Sequence, residues 1–369
     1  MNTSPDRTPV SIITGFLGSG KTTLLNRLLQ HPGMAGAAVI INEFGEIGLD
    51  HLLVTTPNEN TVLLASGCIC CTVRGDLVDT LRDLFSRRRE GAIPAFDRVV
   101  IETTGLADPV PIIQTVVTDE KLAPCFRLDS VVTLVDGVNG MLQLDQHAES
   151  VKQIAVADRM LITKADLAAP AVIGALRERL GNINPGAQTF LATRGEIAPE
   201  SLFGAALHRV DTDGRDVARW LGEAAYAGSP PSRDHVYRVH DGNRHDNHIR
   251  AFCIYLDQPL SSAGLTAWLT ALASLRGANL LRMKGLLNVE DRPVAVHAVQ
   301  TLIHEPLALA RWPDADRRSR LVFITRDMAR EHIEATLDVL RWQETPARPR
   351  QTLDPQTYAK FVAAMEKFH

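Results

Sequence analysis

A chain of 369 residues is long enough for two or three domains, and 45% hydrophobic with 22% charged residues is the balance of a globular protein in water. A net charge of −4 argues against nucleic acid or an anionic membrane surface as a partner, since both need a basic field. No apolar run approaches the roughly 20 residues of a membrane span, the opening Met1-Asn2-Thr3-Ser4-Pro5-Asp6-Arg7 is polar, and three of the five cysteines crowd into one turn, so a cytoplasmic protein with reduced thiols and no disulfide framework is expected.

The first predicted element is a strand at 10–14, the β-branched run Val10-Ser11-Ile12-Ile13-Thr14. It leads into Gly15-Phe16-Leu17-Gly18-Ser19-Gly20-Lys21-Thr22, which reads G-x-x-x-x-G-K-T. A helix at 22–30 follows, with Leu24, Leu25, Leu28 and Leu29 at helical spacing. Strand, glycine loop and helix in that order make a P-loop. Gly15, Gly18 and Gly20 let the backbone wrap a polyphosphate with its N–H groups pointing inward. The helix N-terminus adds the positive end of its dipole. Ser19 and Thr23 join the same nucleotide-binding set. Lys21 is expected to neutralise the β and γ phosphates, and the Thr22 hydroxyl to hold Mg²⁺.

A strand at 37–41 comes next, followed by Asn42-Glu43-Phe44-Gly45-Glu46-Ile47-Gly48-Leu49-Asp50. A first switch loop belongs here. Glu43, Glu46 and Asp50 are candidates for Mg²⁺, for water, or for completing a metal shell, and the sequence does not separate those roles. A strand at 61–64 then opens into Ser66-Gly67-Cys68-Ile69-Cys70-Cys71-Thr72. Thiolates are soft ligands that suit zinc or copper(I). Cys68, Cys70 and Cys71 have no second C-x-x-C pair nearby, so their shell would be incomplete, which suits a metal that must leave. Buried apolar cysteines or a redox switch are the alternatives. A strand-to-helix connection of a parallel sheet crowds the nucleotide, so metal and nucleotide are expected to share a wall.

A helix at 75–88 carries Leu77, Leu81, Leu84 and Phe85 on one face. The strand at 98–101 runs into Glu102-Thr103-Thr104-Gly105. Glu102 is a candidate to hold Mg²⁺ through water or to orient the attacking water. The Gly105 N–H can swing to a γ-phosphate, which makes the following loop a switch. Lys21, Glu102 and Gly105 form the expected catalytic set. Helices at 109–117 and 146–155 and a strand at 130–135 lead to a strand at 159–163. It ends in Thr163-Lys164-Ala165-Asp166, the [N/T]-K-x-D pattern of guanine readers. The Asp166 carboxylate accepts from the base N1–H and the exocyclic amine, a donor pair that adenine lacks. Lys164 is expected to pack along the purine. GTP is therefore the expected nucleotide, and a helix at 170–180 and a strand at 188–191 complete the pattern.

Residues 8–207 read as one P-loop domain with a mostly parallel sheet flanked by helices. The stretch 208–247 is rich in Gly, Pro, Asp, Arg and His, contains Pro230-Pro231, and reads as a linker with a short helix around 217–225. Its His235, His240 and His245, with His248 at its end, belong either to a solvated linker or to a metal-gathering arm. From 248 to 345 a strand at 249–256, a helix marked by Leu265, Trp268, Leu269 and Leu272, and strands at 280–289, 294–302 and 320–325 precede a helix marked by Ile333, Leu337 and Leu340. That β-α-β-β-β-α order predicts a smaller α+β domain. The tail at 346–369 holds one further helix near 355–367. Cys125, Cys253, His147 and His297 read as structural.

G-F-L-G-S-G-K-T-T-L-L, I-N-E-F-G-E, S-G-C-I-C-C, I-E-T-T-G-L-A-D-P and T-K-A-D, in that order, closely resemble the CobW-like GTPases of the SIMIBI class. Leu281-Arg282-Met283-Lys284-Gly285, Trp312 and Arg320-Leu321-Val322-Phe323-Ile324 look like that family's C-terminal domain, so the resemblance spans nearly the whole chain. It implies GTP hydrolysis coupled to metal delivery, most often zinc, to a client metalloprotein. It carries the metal site to Cys68, Cys70 and Cys71, the phosphate and Mg²⁺ ligands to Lys21, Thr22 and Glu102, and the base reader to Lys164 and Asp166. One position departs. Some members have a glutamate just before the Asn of the N-E-F-G stretch, and here it is Ile41. Another cargo such as cobalt or iron, a homo-oligomer, and a regulatory switch GTPase with structural or redox-sensing cysteines stay open.

Overall fold

The computed structural model describes residues 7–42, 62–66, 73–207, 212–226, 248–276, 279–342 and 355–366. The chain divides into two compact units, one running to Ala206 and the other beginning at Leu207.

The first unit is built on strands β1 (Thr8–Gly15), β2 (Ala37–Asn42), β3 (Val62–Ser66), β4 (Arg98–Glu102), β5 (Phe126–Asp136), β6 (Arg159–Thr163) and β7 (Gln188–Leu191). They form a seven-stranded sheet in the order β3-β2-β4-β1-β5-β6-β7. Each adjacent pair is parallel. The sequence reason is apolar continuity: Val131–Val135 and Met160–Ile162 are buried without alternation, as strands covered on both faces must be. The connecting helices are α1 (Lys21–Gln30), α2 (Val73–Arg89), α3 (Val110–Thr118), α4 (Gly140–Gln146), α5 (Ala148–Ala155) and α6 (Pro170–Ile183). Leu24, Leu25, Leu28 and Leu29 of α1 pack on Ile13, Val39, Val100, Val132 and Leu134 of the sheet. Each fully buried leucine contributes about 1.5–3 kcal/mol of apolar burial. Because every strand runs the same way, Gly15, Asn42, Ser66, Glu102, Asp136 and Thr163 all end on one edge.

Within the first unit one helix differs from its sequence expectation. The helix expected at 146–155 is preceded by another, and the two are broken at His147, whose extended backbone (φ −131°) ends α4 and begins α5. The imidazole stacks on Phe16 with ring centroids 4.4 Å apart, which gives the break a tertiary cause.

The second unit begins with α7 (Gly214–Leu221) and a 3-10 turn at Glu223–Tyr226. Strands β8 (Ile249–Leu256), β9 (Leu280–Val289), β10 (Arg292–Val299), β11 (Leu302–Ile303), β12 (Leu307–Ala308) and β13 (Ser319–Arg326) form an antiparallel six-stranded sheet. Helix α8 (Ser262–Arg276) and α9 (Arg330–Glu334), with the turn at Leu337–Arg341, line one face. Trp268 is fully buried there and donates from Nε1 to Thr336 Oγ1 at 2.8 Å. On the other face Val217, Trp220, Leu221 and Tyr226 pack against Cys253, Leu286, Ala295 and Val322. Residues 212–226 thus lie in the stretch expected to be a linker, yet they are part of the second unit's core. The i, i+3, i+4 spacing of Val217, Trp220 and Leu221 is the stripe that drives this docking. Lys284 Nζ donates to Trp220 O at 2.8 Å, and Arg320 pairs with Glu223 at 2.7 Å, which pins the segment further.

Helix α10 (Pro355–Glu366) closes the described chain. Burial pushes the Cys253 thiol up to about 11, which leaves it an inert apolar filler. Cys125 is half-buried. No helix among the described residues is long and apolar enough to cross a membrane.

Candidate functional site

The P-loop leaves the sheet where β1 meets β5. Gly15 has φ 141°, and a Cβ there would sit 2.4 Å from Leu134 O, so only glycine lets the loop press against β5. Gly18 (φ 73°) and Gly20 (φ 89°) make the two further left-handed turns, and Gly20 caps α1. Lys21 is buried, and its Nζ donates to Gly15 O at 2.9 Å and Phe16 O at 3.2 Å. The ammonium is therefore folded over the loop it would serve. Ser19 Oγ is buried without a hydrogen-bond partner among the described residues. An orphaned hydroxyl within the glycine loop fits a phosphate oxygen. Thr23 is exposed on the first turn of α1.

Beside the loop, Thr22 Oγ1 donates to Glu102 Oε1 at 3.4 Å. Glu102 is buried at the end of β4, in register with Ile13 of β1 and Ile41 of β2. Two hard oxygen donors on facing elements, next to a phosphate cradle, fit Mg²⁺. The chain then turns back over the P-loop. Thr103 N donates to Ile13 O at 2.9 Å, and Thr103 Oγ1 to Thr14 Oγ1 at 2.9 Å. At Gly105 a Cβ would lie 2.6 Å from Leu17 N and 2.7 Å from Leu17 Cα, so the two backbones touch. Gly105→Ala must move one of them, at about 1–3 kcal/mol for such overpacking. We expect the variant to lose about tenfold in kcat for nucleotide hydrolysis, with GDP affinity changed by less than about twofold because GDP has no γ-phosphate for Gly105 to meet. Steady-state turnover and equilibrium titration check this.

On the other side of β1, Thr163 ends β6, and its hydroxyl donates to Ser19 O at 2.7 Å and Val135 O at 3.3 Å. The turn that begins at Thr163 is thereby tied to the phosphate loop. Lys164 follows in the left-handed region (φ 53°), and its Nζ donates to Gly18 O at 2.7 Å and to Asp136 Oδ2 at 2.7 Å. Asp166 is exposed in a 3-10 turn at Ala165–Leu167, with its carboxylate open to solvent.

Asp136 was not singled out by sequence reasoning. Its side chain is 1% exposed. Oδ1 accepts from Val138 N at 2.8 Å and Asn139 N at 3.1 Å. The only signal in the sequence is an Asp-Gly pair closing an apolar strand. Burial pushes the Asp136 carboxyl up as the largest single effect, but Lys164, the two backbone N–H groups and the Asn139 amide together hold it below its ordinary value. A carboxyl lowered on folding adds stability that is full above its unfolded pKa of about 3.9 and is lost as pH falls through the lowered folded value. We expect denaturant midpoints of the native protein to fall below about pH 4 more steeply than those of Asp136→Asn. Parallel acid titrations of the two proteins measure it.

Cys68, Cys70, Cys71, Glu43, Glu46, Asp50, His235, His240 and His245 lie outside the described residues. His248 is described and exposed in the second unit, where Nδ1 pairs with Asp327 Oδ1 at 2.6 Å. Among the described residues no group of three or more His, Cys, Asp or Glu side chains is gathered for a metal.

Residues 9–191 match the family described as CobW/HypB/UreG, nucleotide-binding domain, and residues 249–341 match the cobalamin synthesis protein CobW C-terminal domain. The Zinc chaperone YjiA of Escherichia coli K12 is 35% identical over 334 residues, which are 90% of this chain and 98% of YjiA. The chain belongs to the CobW family. The Zinc chaperone CobW of Sinorhizobium sp. is 27% identical over 367 residues, covering 90% of this chain and 97% of that protein. The crystal structure of Zn(II)-bound YjiA GTPase from E. coli aligns with a TM-score of 0.67 at 32% identity, over 93% of this chain and all of that one. The expected architecture of a P-loop domain followed by a sheet-based C-terminal domain is the architecture of this CobW family. Its nucleotide-binding domain and intact P-loop put the chain in the family's GTPase class.

Proposed function

We propose that this CobW-family GTPase is a cytoplasmic metallochaperone that takes Zn²⁺ at Cys68, Cys70 and Cys71 and couples GTP hydrolysis to its release to a client metalloprotein. The observation that supports this most is the all-parallel order β3-β2-β4-β1. Ser66, which leads into the cysteine segment, and Gly15, which opens the P-loop, end strands on one edge three strand spacings apart, about 14 Å. Helix α2 begins at Val73, two residues after Cys71. A helix N-terminus stabilises nearby thiolates, the form that binds metal. Three thiolates suit zinc as cargo, and the open fourth position suits transfer. Ile41, buried at the end of β2, offers no carboxylate to close that shell. Relatives named zinc chaperones support the same cargo.

Within the pocket each residue has a task. The Lys21 ammonium exchanges the Gly15 and Phe16 carbonyls for β and γ phosphate oxygens. Glu102 orients the attacking water, and Gly105 N–H reaches the γ-phosphate from the loop pressed on Leu17. Asp166 reads guanine. Bound Mg²⁺, held by Thr22 with Glu102 behind it, would neutralise charge on the phosphates. The test is GTP turnover with and without one equivalent of zinc, in the native protein and in the Cys68, Cys70, Cys71→Ser triple variant. Zinc should shift native turnover by about fivefold or more and leave the variant unmoved. Chelator capture of zinc should also be faster from the GDP form than from the GTP-analogue form. Turnover indifferent to zinc, with equal capture rates, would refute the proposal.

A further inference from the structure

We infer that Gln153 is a positioning residue for the GTPase reaction, because from α5 it holds the loop after Glu102 against the P-loop. The naming of GTP and the γ-phosphate contact of Gly105 rest on the function proposed above. Gln153 is 1% exposed, and its Nε2 donates to Gly105 O at 3.3 Å and Ala107 O at 3.0 Å. Two carbonyls facing one amide demand its nitrogen, so the orientation is set by chemistry. Ala107 N in turn donates to Thr104 O at 3.1 Å and closes the turn between them. The preceding residue adds a second tie from the same helix: Lys152 Nζ meets Asp108 Oδ2 at 2.5 Å. The loop's opposite side is the Gly105–Leu17 contact. It is thus clamped between α5 and the phosphate loop.

Helix α5 is itself anchored. Thr133 Oγ1 of β5 donates to Gln153 O at 2.8 Å. A short connection, with Asp158 N donating to Val131 O at 2.8 Å, carries α5 into β6 and so to Thr163 on Ser19 O. One continuous piece of chain therefore grips the loop at one end and the base-reading turn at the other. Among the described residues Gln153 Oε1 and Ser150 Oγ are buried without hydrogen-bond partners, and both residues line one small pocket with Phe16 and Gln143.

GDP is held by the P-loop and the base turn. GTP also needs Gly105 in place, so a loosened clamp penalises GTP and its hydrolysis selectively. The test uses Gln153→Leu, which keeps the bulk and removes the donors, and Lys152→Ala, which releases only Asp108. In the nucleotide-free protein, chymotrypsin should cut after Leu106, 51% exposed, at least about fivefold faster in Gln153→Leu, with a smaller gain in Lys152→Ala. GTP-analogue affinity of Gln153→Leu should fall about tenfold and GDP affinity less than about twofold, and kcat should drop about tenfold with KM nearly constant. Unchanged cleavage in a variant that melts like the native protein overturns the inference. So does an equal loss of GDP and analogue, the mark of a merely structural residue. Native protein that fails to hydrolyse GTP would sink the proposed function, and the cleavage comparison would still judge Gln153.

Discussion

GTP turnover by Lys21→Ala falls by about 10³-fold in kcat/KM, roughly 4 kcal/mol of lost transition-state stabilisation. The reason is electrostatic. Phosphoryl transfer leaves the protein little covalent chemistry, so the barrier is lowered by charges already in place where phosphate charge develops. Lys21 is buried and is held by the carbonyls of Gly15 and Phe16, within the loop that would surround the phosphates. It needs a side-chain shift rather than a backbone rearrangement to reach them. Removing it leaves two carbonyls short of a donor at about 1 kcal/mol each, so the melting temperature should drop by only a few degrees. Lys21→Arg should not restore turnover, because a planar fork does not fit the space of a compact ammonium. Single-turnover assays beside thermal melts measure both quantities. Turnover within about tenfold of native in a folded Lys21→Ala protein would remove the P-loop from the mechanism.

Asp166→Asn reverses base choice. GTP affinity should fall by about 10²-fold or more, since two hydrogen bonds to a charged acceptor are worth roughly 1.5–3 kcal/mol each. Xanthosine triphosphate should gain, because its O2 accepts from the new amide while its N1–H still donates to the amide oxygen. The turn supports so sharp an effect. Asp166 is solvent-open, while its neighbours are locked: Thr163 on Ser19 O and Lys164 on Gly18 O and Asp136. A carboxylate on a rigid turn loses little freedom when the base arrives. Competition of GTP, xanthosine triphosphate and ATP for each protein tests it, and unchanged preference would mean that another group reads the base.

Much of the nucleotide site was legible because its signals are local. A β-branched strand, a glycine loop and a leucine-spaced helix specify one another within about twenty residues, and Gly15–Lys21 folds as that spacing requires. Glu102 and Asp166 were picked out as candidates for the same reason, one closing an apolar strand and the other just beyond one. The clamp was not. Gln153 looks like any polar residue on an amphipathic helix, and the carbonyls it serves lie 46 and 48 residues away in the chain. Asp136 was hidden likewise, since its cation comes from Lys164 across 28 residues. A short helix around 217–225 was legible, and α7 runs over Gly214–Leu221, but its docking was not, because its surroundings are rich in Gly, Pro and Asp. Its three apolar side chains declare their role only against the sheet that receives them.

The sequence by itself determined the P-loop and named the candidates for its chemistry: an acid proposed for the magnesium side, a turn proposed to read guanine and three thiols proposed for zinc, each marked by residue type at short spacing. Only the tertiary structure decided how those parts are held to one another. Thr163 on Ser19, Lys164 on Asp136, Gly105 on Leu17 and Gln153 on the loop after Glu102 all cross between elements. Such contacts exist because parallel strands bring distant chain ends to one edge, and no short-range pattern encodes which ends will meet.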